Sequence, residues 1–356
     1  MPARVPGRTR ETKRKNDQDK VRQKMTFDLD RYREMTRTCI HCGACRDNCS
    51  FLTKYGCELS DVEDLAPLAY HCSICGKCDQ VCPVGIKGTE LFMEMRREHV
   101  ALEDGVYDPG RYSGMLKEKS DYIFRNYKKA AGKTVIFPGC NFPSLFPKTN
   151  KAFAAMMKRE YGYGIAYDCC GRPLGLLGLE KDEERIIDTI RKNLEEAGAE
   201  EILTMCPNCY YYLKDRLGIR VVSVYRRLLE LGIQVEKPQG LKIFMPCPDR
   251  ETGEWYDDIS ELLGYRPEKE EEVNCCGLGG MAGACEPELS KGYAEAIGKK
   301  YPSGGEITLC TCCASCAGQF GRNGGALRHT LSLMMGIDEK PAVKTSYVNR
   351  MMTKYK

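Results

Sequence analysis

From Lys133 onward, short runs of β-branched and aliphatic residues alternate with segments whose apolar positions recur every three or four residues. Thr134-Val135-Ile136-Phe137 and Glu201-Ile202-Leu203-Thr204-Met205 read as strands. Between them Lys148 to Tyr161 reads as a helix. A second helix carries Ile186, Ile187, Ile190, Leu194 and Ala197 on one face, starts acidic and turns basic at Arg191-Lys192. This alternation predicts α/β architecture. The order then recurs. Leu241-Lys242-Ile243-Phe244-Met245 leads to Cys247, a helix covers about Trp255 to Leu263, and Cys275-Cys276-Gly277 follows before Glu306-Ile307-Thr308-Leu309 runs into Cys310. The repeat of about 107 residues is too long for a solenoid and the right size for a duplicated domain.

Upstream the texture differs. Residues 25 to about 50 and 57–100 read as short helices, with Asp61 placed to cap one that opens Val62-Glu63-Asp64. A charged helical stretch from about Gly114 to Lys129 links this region to the α/β part. The expected division is therefore a basic tail (1–24), a helical unit (25–100), a helical linker (101–132), two α/β repeats (133–236 and 237–340) and a C-terminal tail (341–356).

Composition narrows the chemistry. The chain has 356 residues, enough for several domains, and 22 of them are cysteine. That usage means disulfides in a secreted protein and metal or redox chemistry in a cytosolic one. The basic, hydrophilic Met1–Lys24 stretch has no apolar core of a signal peptide, and no apolar run approaches the length of a membrane span, so a reducing cytoplasm is the expected compartment. The formal charge of +4 counts cysteines as neutral, and metal-bound thiolates would offset it, which leaves no general case for nucleic-acid binding. Positive charge is local: residues 1–24 hold nine Lys/Arg against three acidic residues, read as a solvated tail or a docking arm for an acidic partner or membrane face.

Eight cysteines fall in two copies of one spacing. Cys39, Cys42, Cys45 and Cys49 form C-x₂-C-x₂-C-x₃-C, and Cys72, Cys75, Cys78 and Cys82 repeat it, closed by Pro83. This is the bacterial two-cluster ferredoxin run, in which the fourth cysteine of each copy crosses to the other cluster. Crossing assigns Cys39, Cys42, Cys45 and Cys82 to one cubane [4Fe–4S] cluster and Cys72, Cys75, Cys78 and Cys49 to another. Gly43 and Gly76 suit the tight turns this requires. Zinc sites, the competing reading, usually carry paired C-x₂-C arms separated by a long loop.

The repeat has its own signature. Copy one is Cys140, Cys169-Cys170-Gly171 and Cys206-Pro207-Asn208-Cys209; copy two is Cys247, Cys275-Cys276-Gly277 and a C-x₂-C drawn from Cys310, Cys312, Cys313 and Cys316. The offsets choose Cys313 and Cys316: Cys140 to Cys247, Cys206 to Cys313 and Cys209 to Cys316 are each 107 residues apart, and Cys169 to Cys275 is 106. Cysteines at the carboxyl ends of strands converge on one crevice of an open α/β sheet, and soft thiolates suit iron–sulfur chemistry.

A doubled C-x₍ₙ₎-C-C-G-x₍ₘ₎-C-x₂-C behind a two-cluster ferredoxin module resembles the heterodisulfide reductase catalytic subunit and the wider superfamily of cysteine-rich (CCG) Fe–S oxidoreductases. That superfamily includes the Fe–S subunits of glycerol-3-phosphate, glycolate and lactate oxidoreductases. The resemblance covers roughly residues 30–340. It implies an α+β multidomain fold, with a helical two-cluster ferredoxin module followed by two duplicated α/β CCG domains. It also implies one or two further [4Fe–4S] clusters, noncubane in the heterodisulfide reductase branch, on Cys140, Cys169, Cys170, Cys206 and Cys209, and on Cys247, Cys275, Cys276, Cys313 and Cys316. The vicinal pairs Cys169-Cys170 and Cys275-Cys276 are the catalytic candidates. The two copies depart from the family pattern in short first intervals of 28 and 27 residues and in the extra Cys310 and Cys312.

The implied function is an Fe–S electron-transfer and catalytic subunit of a cytoplasmic oxidoreductase complex. It would pass electrons between a flavoprotein partner and a disulfide or other acceptor. The alternative is a non-catalytic conduit from a flavin-dependent 2-hydroxy-acid or glycerol-3-phosphate dehydrogenase to a quinone pool, and peripheral membrane contact is left open. No flavin motif is present, so a flavin belongs to the partner. Gly277-Leu278-Gly279-Gly280-Met281-Ala282 fits a loose dinucleotide pattern but is read as a close approach to a cluster. His41 and His71 lie beside cluster cysteines and are read as supporting or surface residues, and Cys57, Cys285, Cys310 and Cys312 as packed or peripheral thiols.

Overall fold

In a computed structural model, which describes residues 27–302, 307–325 and 327–356, each repeat builds its own sheet. The first has five strands, β1 (Asn126–Lys129), β2 (Thr134–Phe137), β3 (Gly164–Tyr167), β4 (Glu201–Thr204) and β5 (Arg220–Ser223), in the order β1-β3-β2-β4-β5. Only β1 runs antiparallel to its neighbour. The second sheet is all parallel: β6 (Leu241–Ile243), β7 (Glu268–Lys269), β8 (Thr308–Thr311) and β9 (Arg328–His329), ordered β7-β6-β8-β9. The four parallel strands of the first sheet, β3-β2-β4-β5, and the four of the second share one order. Thr134 and Glu201, which pair across β2 and β4, correspond at an offset of 107 to Leu241 and Thr308, which pair across β6 and β8. The duplication expected from the cysteine spacing is thus a duplication of topology.

The strands are near-continuous apolar runs because the first sheet is covered on both faces. Ile136, Leu203 and Val222 pack in one apolar cluster with Phe244, Trp255, Ile259, Leu309 and Phe320 of the second repeat. Val135, Phe137, Ala166 and Ile202 point the other way, into a cluster with Ile187 and Ile190 of the Glu180–Glu196 helix and with Leu52, Leu91, Phe92 and Met95 of the helical region. The helix stripe read from sequence is the buried face of that helix.

Residues 27–119 are helical, as expected. Short helices (Ala44–Asp47, Ser50–Tyr55, Lys77–Val81) flank the cysteine turns, and a longer one, Gly88–Leu102, backs them. Two local expectations fail. The stretch from Gly114 to Lys129 is not one helix. Its helix, Pro109–Lys119, opens on Pro109 with Asp108 capping Arg111 N, and the chain then pairs as edge strand β1 beside β3, where Asn126 meets Tyr167. Asp61 does sit at the start of Val62–Leu65, but its carboxylate accepts from Glu58 N at 2.7 Å and gives that helix no cap. The basic tail 1–24 lies outside the described residues. The segment expected as a C-terminal tail folds back: Ser346–Met352 is a helix against Phe142–Leu145.

Candidate metal centres

The two cysteine turns of the helical region are built alike. At matching positions the backbone is left-handed, with φ of 52° at His41 and 73° at Gly43, and 47° at Ile74 and 72° at Gly76. Positive φ is costly for an isoleucine or histidine and persists only where the surroundings impose it. It turns each N–H inward, so His41 N donates to Cys39 Sγ (3.4 Å) and Ile74 N to Cys72 Sγ (3.3 Å). Ile86 N likewise reaches Cys82 Sγ at 3.3 Å. Cys39, Cys42, Cys45 and Cys82 line one small cavity with Ile40, Leu59, Val84 and Ile86. Cys49 stands instead beside Cys72 and Cys75, with Cys78 against the same two, and burial pushes the Cys49, Cys72 and Cys78 thiols up. The sulfurs therefore fall into the two groups of four that ligand crossing requires.

In the sheets, Cys140 follows β2 and Cys206 follows β4, adjacent strands at the point where the strand order reverses, which is where open α/β sheets form their crevice. Cys169-Cys170 arrives from neighbouring β3. The five side chains make a chain of contacts, Cys140 to Cys169, Cys169 to Cys170, Cys170 to Cys209 and Cys209 to Cys206. Hydrogen bonds from Cys169 and Cys209 hold the Cys170 thiol down to about 5. Gly139, at φ 70°, leaves room for this, because a Cβ there would stand 2.8 Å from Cys209 Sγ. The second set repeats the pattern. Cys247 and Cys275 are neighbours, Cys276 touches Cys316, and Cys316 holds the Cys313 thiol down to about 7. Both expected groups of five are thus brought together.

Residues 134–214 and 241–321 each match the Cysteine-rich domain family, CCG. The chain carries two CCG domains. It is 26% identical over 286 residues to an uncharacterized iron-sulfur protein of Methanococcus maripaludis, covering 68% of this chain and 56% of that one. One component of the CoM/CoB fumarate reductase of Methanothermobacter marburgensis is 24% identical over 331 residues, 78% of this chain and 66% of that one. One component of the dihydromethanophenazine:CoB–CoM heterodisulfide reductase of Methanosarcina mazei is 25% identical over 300 residues, 72% and 73%. The chain spans 56% and 66% of the length of the first two.

The CCG domains face one another. The helix Pro207–Leu213, which carries Cys209, packs on the Cys247–Asp249 turn of the second domain, and Ala314–Arg322, which carries Cys316, packs on Phe142–Leu145 beside Cys140. At the seam Asn208 Nδ2 lies 3.5 Å from Cys313 Sγ, and Asn141 Nδ2 donates to Ser315 Oγ at 2.7 Å. The second CCG set also meets the helical region: Cys75 and Cys275 are in side-chain contact, which holds the Cys75 thiol down to about 6. Arg250 fastens this junction, donating to Cys75 O (2.7 Å) and to Asn274 O. The loose dinucleotide pattern is part of the junction and has no nucleotide cradle. Its Gly279–Ala284 turn presses on the Cys72–Ser73 backbone, and a Cβ at Gly280 would stand 2.6 Å from Cys72 O.

Sequence reasoning missed the charged residues around the sulfurs. Lys119 and Arg350 lie beside Cys140. Burial opposes their charge, yet the Cys140 sulfur keeps both firmly protonated, with Cys169 adding to the effect at Lys119 and Glu118 at Arg350. Arg250 plays that part for Cys247, Cys75 and Cys275. Arg96, wholly buried, donates to the carbonyls of Ala69, Cys72, Leu176 and Gly280. No local spacing marks Lys119, Arg350 or Arg96, since each acts on a cysteine or carbonyl distant in the chain, and Arg250 adds Cys75 and Cys275 to the nearby Cys247. Of the weaker candidates, His41 is exposed near Glu58, whereas His71 is buried and bonded to Glu286 and Tyr55. Cys57, Cys310 and Cys312 are packed in apolar clusters, and Cys285 lies against Arg111 and Tyr112.

Proposed function

We propose that this chain is the iron–sulfur electron-transfer and catalytic subunit of an oxidoreductase complex resembling heterodisulfide reductase, working between a flavoprotein partner and a disulfide or other acceptor. The observation that supports this reading is the seam between the two CCG domains, where the Asn208 amide reaches Cys313 and the Asn141 amide reaches Ser315. A disulfide consumes two electrons and two protons to become two thiols, and a clamp with sulfur chemistry on both sides suits a substrate with two sulfur atoms.

The donor chemistry fits iron–sulfur groups. Residues 25–100 would form a two-cluster ferredoxin module, with Cys39, Cys42, Cys45 and Cys82 holding one cubane [4Fe–4S] cluster and Cys72, Cys75, Cys78 and Cys49 the other. Cys140, Cys169, Cys170, Cys206 and Cys209, and Cys247, Cys275, Cys276, Cys313 and Cys316, would hold one or two more in the CCG domains 133–236 and 237–340. Such clusters supply one-electron steps at potentials set by their surroundings. The chain's own residues supply the rest. Inward N–H groups at His41, Ile74, Ile86 and Gly277 donate to sulfur. Lys119, Arg350 and Arg250 offset buried negative charge, and Asn208 and Asn141 fix the seam.

The test is anaerobic disulfide reduction by the full chain with an artificial reductant, alongside variants in which Cys169-Cys170 or Cys275-Cys276 is replaced by serine. Either pair should abolish turnover while the signals of the two ferredoxin-type clusters remain reducible. A fully loaded wild-type chain that reduces no disulfide, yet carries electrons from a reduced flavoprotein to a quinone, would replace this reading with the conduit.

A further inference from the structure

The helix Ser346–Met352 and the turn Thr353–Tyr355 that extends it are docked the wrong way round for an ordinary amphipathic helix. Their polar face is turned inward. Asn349 Nδ2 donates to Ser144 O (3.0 Å), Ser144 Oγ donates to Ser346 O (2.7 Å), and Arg350 bonds Glu118 (2.6 Å) and Asn141 Oδ1 (3.0 Å). Thr353, almost wholly buried, accepts from Asn126 Nδ2 at 2.8 Å.

The apolar face is turned outward. Tyr347, Val348, Met351, Met352 and Tyr355, spaced to share one side of a helix, are 58%, 51%, 37%, 47% and 71% exposed. They are five of the eleven large apolar side chains exposed among the described residues, gathered within nine positions. Exposed apolar stripes of this kind mark an interaction site. The rim is cationic. Lys344 and Lys354 are exposed beside the stripe, as are Lys128 and Lys129 on the adjoining strand β1, and residues 340–356 contain no Asp or Glu.

We propose that this face docks on an anionic lipid surface, with the methionines and valine at the headgroup–acyl boundary, the tyrosines at headgroup level and the lysines on lipid phosphates. Two features favour lipid over a protein partner. A stripe of five side chains covers only a few hundred Å², against roughly 800 Å² per partner in a stable protein interface. The exposed charges on the segment itself and on the adjoining end of β1 are lysines, which matches an anionic plane. Because Arg350 ties the inner face of the same helix to Asn141 beside Cys140, docking would bring the Cys140 end of the first CCG domain toward the lipid.

The test is co-sedimentation of the full chain, under anaerobic conditions, with phosphatidylcholine vesicles with and without phosphatidylglycerol. Binding should require phosphatidylglycerol and be released by salt. Lys344→Ala and Lys354→Ala should each weaken it about fivefold. The double variant Val348→Glu/Met351→Glu should abolish it, with iron content and melting temperature unchanged because those side chains are exposed. The proposal is overturned by a wild-type chain that stays in the supernatant with anionic vesicles, or by a double variant that sediments as the wild type does. A lipid-independent dimer that Met351→Glu splits would also overturn it, assigning the face to a second copy.

Discussion

Arg96 joins three parts of the molecule through one side chain. Its guanidinium is wholly buried and makes five N–H···O contacts to four carbonyls: Ala69 (3.1 and 3.0 Å) and Cys72 (2.6 Å) in the helical region, Leu176 (2.6 Å) in the first CCG domain and Gly280 (2.8 Å) in the second. Its ring neighbour is Tyr70, 5.0 Å from the centroid. Burial lowers its pKa, so the charge is held at a cost that the carbonyls offset. In Arg96→Met four buried carbonyls lose a charged donor. Each such loss is worth about 1–3 kcal/mol, partly recovered because no guanidinium need be desolvated. A net loss of about 3–5 kcal/mol is expected, read as a lower denaturant midpoint of the anaerobic, metal-loaded protein. Arg96→Lys keeps the charge but cannot reach four carbonyls, so it should be nearly as unstable. The two variants should differ in redox behaviour: only methionine, by removing the positive charge behind Cys72, should lower the midpoint potential of the neighbouring cluster. An Arg96→Met protein within about 0.5 kcal/mol of the wild type would refute the reasoning.

Ligand crossing predicts that Cys49→Ala damages the cluster shared with Cys72, Cys75 and Cys78 and spares the one at Cys39; loss of the Cys39 signal alone in EPR of the reduced variant would contradict it. His329 is buried against Phe142 and Phe146, donates through Nε2 to Cys312 O and accepts at Nδ1 from Leu331 N, and burial lowers its pKa from 6.5 to about 3. The folded state therefore excludes a proton that the unfolded chain takes up below pH 6.5, so this histidine's contribution is complete above that pH and lost as pH falls toward 3. The loss should reach about 1.4 kcal/mol by pH 5.5, and a His329→Asn variant should show a correspondingly flatter dependence of its denaturant midpoint between pH 7.5 and 5.5. Arg350→Met should lower the reduction potential of the first CCG set alone, and Arg250→Met that of the second together with the group at Cys75; equal shifts at both CCG sets in a redox titration would show that the counter-charges are not local.

The repeat was legible because it is written in local chemistry. Strands end where cysteines begin, and the shared offset of 107 selected Cys313 and Cys316, which contact one another, with Cys316 also touching Cys276. The strand at Asn126–Lys129 was not legible, because Asn-Tyr-Lys-Lys has no apolar alternation and becomes a strand only by pairing with β3. The counter-charges were equally hidden: Arg350 reaches Asn141 from 209 residues away. The 346–355 segment was expected only as part of a C-terminal tail; its docking is decided by hydrogen bonds at Ser346, Asn349 and Arg350 to partners distant in the chain, which local sequence does not announce.

Duplication kept the sulfurs and changed what surrounds them. The first set is flanked by Lys119 and Arg350, both from outside the domain they serve, and the second by Arg250, three residues past Cys247, and by Arg172 of the other CCG domain. The repeat offset puts Pro143 where Arg250 stands and Leu278 where Arg172 stands, so neither cation has a counterpart in the other copy. Several thiolates cannot be buried together without positive charge nearby, and two copies that meet this need from different directions hold their sulfurs in different fields. The coverings differ too: the helical region closes on the second set through Cys75, while the reversed helix closes on the first through Arg350. Groups bound to the same five cysteines would then sit at different potentials on the two sides of one seam. On the proposed function, an identical pair would offer a symmetric substrate two equal ends; this pair would distinguish them and so give a substrate held between the two domains a direction.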